Sequence, residues 1–326
     1  MLSAMMGAEV GDVVFDDDPT VHRLEAVAAE LLGQEAALFV PTGSMANQIG
    51  LGLHVKGGDA VIVEEQAHIR CWEGSAAASF WGAQLVTVPS DTGLPSIDAL
   101  EDSLYPKHPK APKIRVLALE NTHNGAGGFP HSPQAVAERA AWARSRGLRV
   151  HLDGARIFNA AAHFKVDVAD YTTLADTVSV CLSKGLGAPV GSIIAASRDA
   201  IVEADRLRHR LGGGWRQAGF LAAAGLYALE NNRARLVDDH ARAQALVGGL
   251  GATGIAQATH EVLTNIVYYR VDPAWGSAAR FRDELKERHV LATALGPQVG
   301  RLVTHLDVDD ADVERTLSAL GEIPGG

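Results

Sequence analysis

The stretch from position 179 to 192 reads SVCLSKGLGAPVGS and places one lysine, Lys184, directly after a run typical of a buried strand. No acidic residue lies within seven positions on either side of it. Lysine normally keeps its charge in water, and burying it is costly. An amine that has lost its proton attacks carbonyl groups and forms Schiff bases, so we expect Lys184 to bond to a carbonyl. The alternative is a lysine that extends from a strand end to cap a helix.

Seven short runs of apolar and β-branched residues precede or surround this stretch and alternate with segments of helical length. Several are apolar on both faces, as strands covered by helices on each side are. The alternation predicts an α/β domain with a mostly parallel seven-stranded sheet sandwiched by helices. Because a tight Gly-Pro turn joins the last two runs, they are candidates for an antiparallel pair. The runs are AALFV (36–40), AVIVE (60–64), QLVTVP (84–89), IRVLALE (114–120), LRVHLD (148–153), TVSVCLS (177–183) and GSIIAAS (191–197).

The sequence predicts both ends of two helices. Thr20 is predicted to open TVHRLEAVAAELLG, which stops at Gly33, and Ser132-Pro133 to open a helix that ends at Gly147.

The character of the sequence changes at about residue 231. A long helix is followed by the strand candidates NIVYYRV and GRLVTHLDV on either side of AARFRDELKERHV. We therefore expect an N-terminal segment over 1–20, a large domain over 21–230 and a smaller C-terminal α+β domain over 231–326.

Charge and cysteine usage limit the classes of partner. The 326-residue chain has a formal net charge of −10 and no long basic cluster, which argues against nucleic acid and anionic membranes as partners. Its two cysteines are far apart in apolar stretches, as in a protein of the reducing cytosol. No apolar run reaches the length of a membrane span, and the first residues lack the pattern of a signal peptide. The sequence predicts a cytoplasmic protein.

An acid is expected at the same edge of the sheet as Lys184. Asp153 ends the run LRVHLD, 31 residues before the lysine, about one crossover unit away. The carboxyl ends of parallel strands face the ligand crevice. An acid that pairs with a protonated pyridine nitrogen and a lysine that forms an imine are the basic equipment for binding pyridoxal phosphate. The simpler interpretation of Asp153 is an N-cap of the next helix.

A third signal is PTGSMANQ (41–48), directly after the first run. Gly43 and Ser44 place backbone N–H groups and a hydroxyl at a helix N-terminus, which favours a phosphate. The stretch lacks the Gly-Lys-Ser/Thr ending of a nucleotide P-loop, and a turn that only caps a helix is the alternative. Phosphate turn, acid and lysine in this order form a stronger signal than any one of them.

With these residues in place, the sequence resembles the low-specificity L-threonine aldolases, in the β-eliminating lyase branch of the fold-type I pyridoxal-phosphate enzymes, which share the aspartate-aminotransferase-like fold. The similarity extends over nearly the whole chain in the order of the family. It rests on AEVGDVVFDDDPTVHRLE, AALFVPTGSMANQ, EEQAHI, LENTHNGAGG, HLDGARIFNA, CLSKGLGAPVGS, LGGGWRQAGFLAAAGLYAL and RLVTHLDV.

The resemblance implies a role for each matching residue near the cofactor. Lys184 forms the Schiff base, and Asp153 bonds the pyridine nitrogen. His68, in EEQAHI, stacks on the cofactor ring and approaches the β-hydroxyl of the substrate. The phosphate is held by Gly43, Ser44, Ser183 and Arg216, the last reaching in from a neighbouring subunit.

Further residues are implied to contact the substrate. Arg156 and Arg301 clamp the amino acid carboxylate, a task suited to the guanidinium fork. His123, in ENTHN, lies near the β-substituent, and Trp72 stands where many relatives have tyrosine and so shapes the pocket.

The implied activity is the retro-aldol cleavage of L-threonine or L-allo-threonine to glycine and acetaldehyde, without a metal, by a homo-oligomer (a dimer or tetramer). The family usually has a further dozen residues at the start, including a serine at the carboxylate site, which this sequence is expected to lack. Two alternatives stay open: a β-eliminating lyase or racemase on the same scaffold, and a truncated, non-catalytic relative that only binds pyridoxal phosphate.

Overall fold

The computed structural model describes residues 1–105 and 108–324. Strands form at all seven runs that the sequence singled out. Every residue of the second, sixth and seventh strands is buried, as expected of strands that are apolar on both faces. The strands are β1 (Ala36–Val40), β2 (Ala60–Glu64), β3 (Gln84–Val88), β4 (Ile114–Glu120), β5 (Arg149–Asp153), β6 (Thr177–Cys181) and β7 (Ser192–Ala196).

These strands form one sheet in the order β1-β7-β6-β5-β4-β2-β3. The pairs β2–β3, β2–β4, β4–β5 and β5–β6 are parallel, whereas β7 is antiparallel to both of its neighbours. The predicted antiparallel pair is therefore confirmed. The physical reason is length, since a parallel crossover needs a dozen or more residues and the turn between β6 and β7 is shorter.

The outer edge of β1, where the sheet ends, is closed by the side chains of Glu25 and Arg208. The N–H of Phe39 donates to Glu25 Oε1 (2.8 Å), and its carbonyl accepts from Arg208 Nη1 (3.0 Å). An edge strand that carries such partners is blocked as a template for another strand. Burial raises the pKa of Glu25 to about 7, although the bond from Phe39 and the charge of Arg208 oppose that shift.

Helices fill most of the connections between the strands. A 3-10 turn spans Val13–Phe15. The α-helices that belong with the large sheet are α1 (Leu2–Met6), α2 (Pro19–Leu31), α3 (Gly43–Gly52), α4 (His68–Cys71), α5 (Ala76–Trp81), α6 (Ile97–Asp102), α7 (Pro133–Ser145), α8 (Ile157–Phe164), α9 (Ala169–Thr172), α10 (Arg198–Arg210) and α11 (Gly219–Asn231).

The first residues of α2 and α7 can be compared with the helix starts predicted from the sequence. Ser132 caps α7 and Pro133 is its first residue, as predicted. The prediction that Thr20 opens α2 is wrong. Asp18 is the N-cap, its carboxylate accepts from the N–H groups of Thr20 and Val21, and Pro19 occupies the first turn. Proline is favoured there because its missing N–H would have no partner in the helix.

The chain divides into two units. Unit 1 comprises Met1–Ala126 and His131–Arg233, and unit 2 comprises Gly127–Pro130 and Ala234–Gly326. Unit 2 has an antiparallel sheet in the order β10-β11-β9-β8, with helices packed around its own apolar core. Its elements are α12 (Leu236–Ala252), β8 (Ala256–Ala258), β9 (Ile266–Val271), α13 (Ala278–Glu287), β10 (Thr293–Ala294), β11 (Val299–Val303) and α14 (Asp310–Gly321).

Among the helices that lie within residues 1–105 and 108–324, none has the length and apolar character needed to cross a membrane.

Candidate active site

The carboxyl ends of β1, β5 and β6 border one cavity of about 250 Å³ in unit 1. The parallel arrangement of these strands brings their ends to the same edge of the sheet. Of the residues selected from the sequence, six line this cavity: Gly43, Ser44, His68, Asp153, Ser183 and Lys184.

One wall of the cavity is the N-terminus of α3. Thr42 caps this helix, and its hydroxyl accepts from the N–H of Met45 (3.1 Å). The first N–H groups of a helix have no intrahelical partner and favour an anion. A Cβ at Gly43 would lie 2.6 Å from Cys181 Sγ, so only glycine fits against β6 at this point. The wall is therefore suited to a phosphate group.

The loop after β6 carries the candidate lysine. Lys184 is half-buried, and its carbonyl accepts from the N–H of Gly187 (2.8 Å). Gly187 has φ +78°, a left-handed conformation that glycine adopts without strain. The turn thus closes behind Lys184 and leaves its side chain at the cavity.

Asp153 lines the cavity and is buried. Its Oδ1 accepts from the N–H of Ala155 (3.0 Å), and its Oδ2 accepts from Asn47 Nδ2 (2.7 Å). The alternative interpretation as an N-cap of the next helix does not describe this arrangement, since Arg156 is the N-cap of α8. Asp153 instead ties the strand end to α3.

His68 is held on α4 by two acids. Its backbone N–H donates to Glu120 Oε2 (2.7 Å), and its Nδ1 lies 2.9 Å from Glu73 Oε1. The hydrogen bond to Glu73 raises the pKa of His68, partial burial opposes it, and the charges of Asp153 and Glu120 add to the increase. Glu73 thus occupies Nδ1 and fixes the orientation of the imidazole ring.

Glu73 and Asn47 are residues of this site that the sequence reasoning missed. Both are buried, and Glu73 accepts from Asn47 Nδ2 (2.8 Å) and Gln48 Nε2 (2.6 Å) as well as from His68. Ligand atoms of His68, Glu73 and Asp153 all lie within 4.8 Å of one another, a spacing that also suits a metal ion. The side-chain NH₂ group of Asn47 donates to both carboxylates, Glu73 and Asp153. A neutral hydrogen-bond donor therefore lies between the two acids.

His123 is fully buried and is not among the residues lining the cavity. Its Nε2 lies 2.9 Å from Glu64 Oε2, and its Nδ1 accepts from the N–H of Ala126 (3.1 Å), which places the proton on Nε2. Burial disfavours its charged form, but the charges of Glu120 and Glu64 outweigh burial and raise the pKa of His123.

Four further residues selected from the sequence also lie outside the cavity lining. Trp72 is 60% exposed at the end of α4. Arg156 is half-buried, with Nη1 3.5 Å from Asn124 Oδ1. Arg216 pairs with Asp12, Nη2 to Oδ2 being 2.7 Å. Arg301 lies on β11 of unit 2.

The chain belongs to the β-eliminating lyase family, whose model matches residues 1–273. It is 42% identical to the low specificity L-threonine aldolase of Escherichia coli strain K12, over 94% of this chain and 90% of that protein. It is also 32% identical to the alanine racemase TOXG of Cochliobolus carbonum, over 99% of this chain and 84% of that protein. The resemblance to the low-specificity L-threonine aldolases is thereby confirmed.

The solved structure of Leishmania major threonine aldolase superposes with a TM-score of 0.84 at 19% identity, covering 98% of this chain and 93% of that one. This likeness confirms the predicted fold class: an aspartate-aminotransferase-like, fold-type I sheet with a smaller α+β part.

Proposed function

We propose that this chain is a pyridoxal-phosphate-dependent aldehyde-lyase that cleaves L-threonine and L-allo-threonine to glycine and acetaldehyde. The observation that carries the proposal is the cavity where Lys184, Asp153 and His68 meet the N-terminus of α3. The relationship to low-specificity L-threonine aldolases supports the choice of substrate.

The residues around the cavity fit the chemistry of pyridoxal phosphate. Gly43, Ser44 and Ser183 offer N–H and hydroxyl donors for the phosphate, Lys184 offers the amine that bonds its carbonyl carbon, and Asp153 offers a carboxylate for the pyridine nitrogen. When bound, this cofactor supplies an electron sink for the bond that breaks.

His68, or a water that it holds, is proposed to take the proton of the substrate β-hydroxyl. Loss of that proton forms the aldehyde carbonyl as the Cα–Cβ bond breaks, and Cα then receives a proton to give glycine. Glu73 at Nδ1 fixes the ring and leaves Nε2 to face the substrate. His68 works as a base only when Nε2 is unprotonated, so the raised pKa shifts this activity to higher pH than an ordinary histidine would give.

The same proposal covers the residues outside the cavity lining. Arg156 and Arg301 are proposed to bind the amino acid carboxylate, His123 and Trp72 to shape the region near the β-substituent, and Arg216 to reach the phosphate of a neighbouring copy. The exposed position of Arg216, away from the cavity lining of its own chain, supports the last assignment.

We further propose a cytoplasmic homodimer or homotetramer. Two free thiols, exposed Cys71 and buried Cys181, support a reducing compartment. Exposed apolar side chains on α1 and α11, including Leu2, Met6 and Phe220, support contacts between copies. Light scattering behind size-exclusion chromatography tests the assembly, and a monomer would contradict it.

A racemase is the second candidate, because the chain is also similar to an alanine racemase. The two activities differ in the bond that breaks: an aldolase cleaves Cα–Cβ of a β-hydroxy amino acid, whereas a racemase exchanges only the Cα proton. Incubation with L-alanine in deuterated water therefore separates them. Deuterium in D-alanine without any acetaldehyde from L-threonine favours the racemase.

The direct test is the visible spectrum of the purified, cofactor-loaded protein before and after addition of L-threonine, with acetaldehyde trapped by an alcohol dehydrogenase. We expect a spectral change together with equal amounts of glycine and acetaldehyde. His68→Asn should lower the rate of cleavage by about 10²–10⁴-fold, the usual contribution of general base catalysis, while cofactor binding persists. Full activity of that variant would contradict the role of His68.

A further inference from the structure

A single amide connects the two acidic parts of the cavity. Asn47, buried on α3, donates from Nδ2 to Asp153 Oδ2 (2.7 Å) and to Glu73 Oε1 (2.8 Å). One NH₂ group therefore uses its two hydrogens on two different carboxylates. One of these carboxylates is the proposed partner of the pyridine nitrogen, and the other holds His68.

The orientation of this amide is fixed from its other end. Asn47 Oδ1 accepts from Ser179 Oγ (2.6 Å) and lies 3.1 Å from His151 Nε2. Burial lowers the pKa of His151 to about 4, so its imidazole is neutral near pH 7. Because an amide oxygen can only accept, the contact with Asn47 Oδ1 requires the proton on Nε2, and Nδ1 then accepts from the hydroxyl of Thr177 (2.9 Å). Two donors at Oδ1 keep both N–H groups directed at the carboxylates.

A glycine on α3 leaves room for the His151 ring beside Asn47. A Cβ at Gly50, one turn along α3 from Asn47, would lie 2.4 Å from the His151 ring. Only glycine at that position lets the imidazole reach Asn47. The helix, the strand end of β5 and the side chain of Ser179 on β6 thus converge on one amide group.

We propose that Asn47 is a positioning residue that holds the carboxylates of Asp153 and Glu73 apart and in fixed orientations. It thereby directs Asp153 toward the cofactor and, through Glu73, directs His68 toward the substrate. Without this shared donor, each buried carboxylate would lose one of its hydrogen bonds and could turn away from these directions. The assignment of Asp153 and His68 to those tasks rests on the proposed function.

Gln48 provides a matched control. Its Nε2 donates to Glu73 Oε2 (2.6 Å), and it is as buried as Asn47, but the contacts to Asp153 come from Asn47 and Ala155. Asn47→Asp and Gln48→Glu each place one new carboxylate beside Glu73 with little change of shape. Only Asn47→Asp also places it against Asp153.

The first readout uses the cofactor-free protein, so that it does not depend on the proposed function. We expect the urea midpoint of Asn47→Asp to fall more steeply between pH 6 and 9 than that of Gln48→Glu, because three carboxylates then compete for protons at one place. Equal pH dependence in the two variants would overturn the bridging role of Asn47.

The second readout is the dissociation constant of pyridoxal phosphate, from its absorbance. At pH 8.5 Asn47→Asp should bind the cofactor about 10- to 100-fold more weakly than Gln48→Glu, as expected for the loss of a hydrogen bond to a charged group. The difference should shrink at low pH, where the introduced carboxyl is protonated and donates again. Equal affinities at both pH values would overturn the proposal.

Asn47→Leu and Gln48→Leu form a second pair in case the charged variants fold poorly. Asn47→Leu should weaken cofactor binding at every pH, and Gln48→Leu should bind like the unaltered chain. Failure of the unaltered chain to bind pyridoxal phosphate would instead reject the proposed function, and the urea comparison would still decide whether Asn47 separates the two carboxylates.

Discussion

Replacing Glu73 by glutamine tests how the protein controls its proposed base. The carboxylate is buried and accepts from Asn47, Gln48 and His68 at 2.6–2.9 Å. A glutamine at this position turns one acceptor oxygen into an NH₂ group that faces a donor. One buried donor is then left unpaired, which costs about 1–3 kcal/mol of folding free energy.

The same substitution changes the pH dependence of the reaction in a defined direction. The bond to Glu73 is the largest cause of the raised pKa of His68, so Glu73→Gln lowers that pKa. The acid limb of the profile of kcat/KM against pH should therefore move to lower pH, since the base loses its proton earlier. The stability that the pair contributes is present below the ordinary histidine pKa and is lost as pH rises through the raised value. The deficit in unfolding free energy should thus be largest in acid and shrink in alkali.

The assay is the initial rate of acetaldehyde release from L-threonine between pH 6 and 10, with urea midpoints at the same pH values. Glu65→Gln is the matched control, because it removes the same charge from an exposed position three residues before His68. It should leave the acid limb where it is. An acid limb that stays in place in Glu73→Gln, or that moves to higher pH, would refute the reasoning.

Two further predictions concern the strand that leads into the site and the phosphate wall. The pKa of about 7 for Glu25, against an ordinary value of 4.5, means that stability falls by up to about 3 kcal/mol as pH rises from 4.5 through 7. Glu25→Gln keeps the acceptor for Phe39 and should remove that fall in urea melts, whereas exposed Glu30→Gln should not; parallel curves for all three proteins would contradict this. Gly43→Ala should cost about 1–3 kcal/mol by overpacking against Cys181 and weaken cofactor binding. Adding Cys181→Ala should restore both, and an absence of rescue in thermal melts would show that Cys181 is not the obstacle.

The sequence predicts the sheet well because its strands are short, apolar on both faces and bounded by turn residues. The run at 60–64 and the run at 114–120 coincide with β2 and β4. Asp153 and Lys184 could be predicted for the same reason, because each lies at the carboxyl end of such a strand. The carboxyl ends of parallel strands lie at the same edge of a sheet.

The rest of the site was not predictable, because it depends on contacts between distant segments. Asn47 is in the middle of a helix and Glu73 is in a stretch of small and polar residues, where each has the appearance of a solvated side chain. The two acids that Asn47 contacts, Glu73 and Asp153, are 26 and 106 residues away from it in the sequence. His151 lies in the middle of β5, and only the meeting of β5 with α3 makes it the support of Asn47.

Several neighbouring residues can each be the cap or the first residue of a helix, so the exact start of a helix is hard to predict. Three aspartates precede Pro19, and the choice of Thr20 as the first residue of α2 overlooked that proline marks the first turn, which makes Asp18 the cap. The short strands β8 and β10, of three and two residues, carry too little periodicity to be found in the sequence.

The most direct measurement is borohydride reduction of the protein loaded with pyridoxal phosphate, followed by peptide mapping. Hydride fixes the bond between cofactor and lysine, so the mass of the cofactor marks the residue that holds it. We expect the label on the peptide that contains Lys184, and no label in Lys184→Ala. A label on another lysine, or a loaded protein that takes up none, would contradict the assignment of this cavity as the active site.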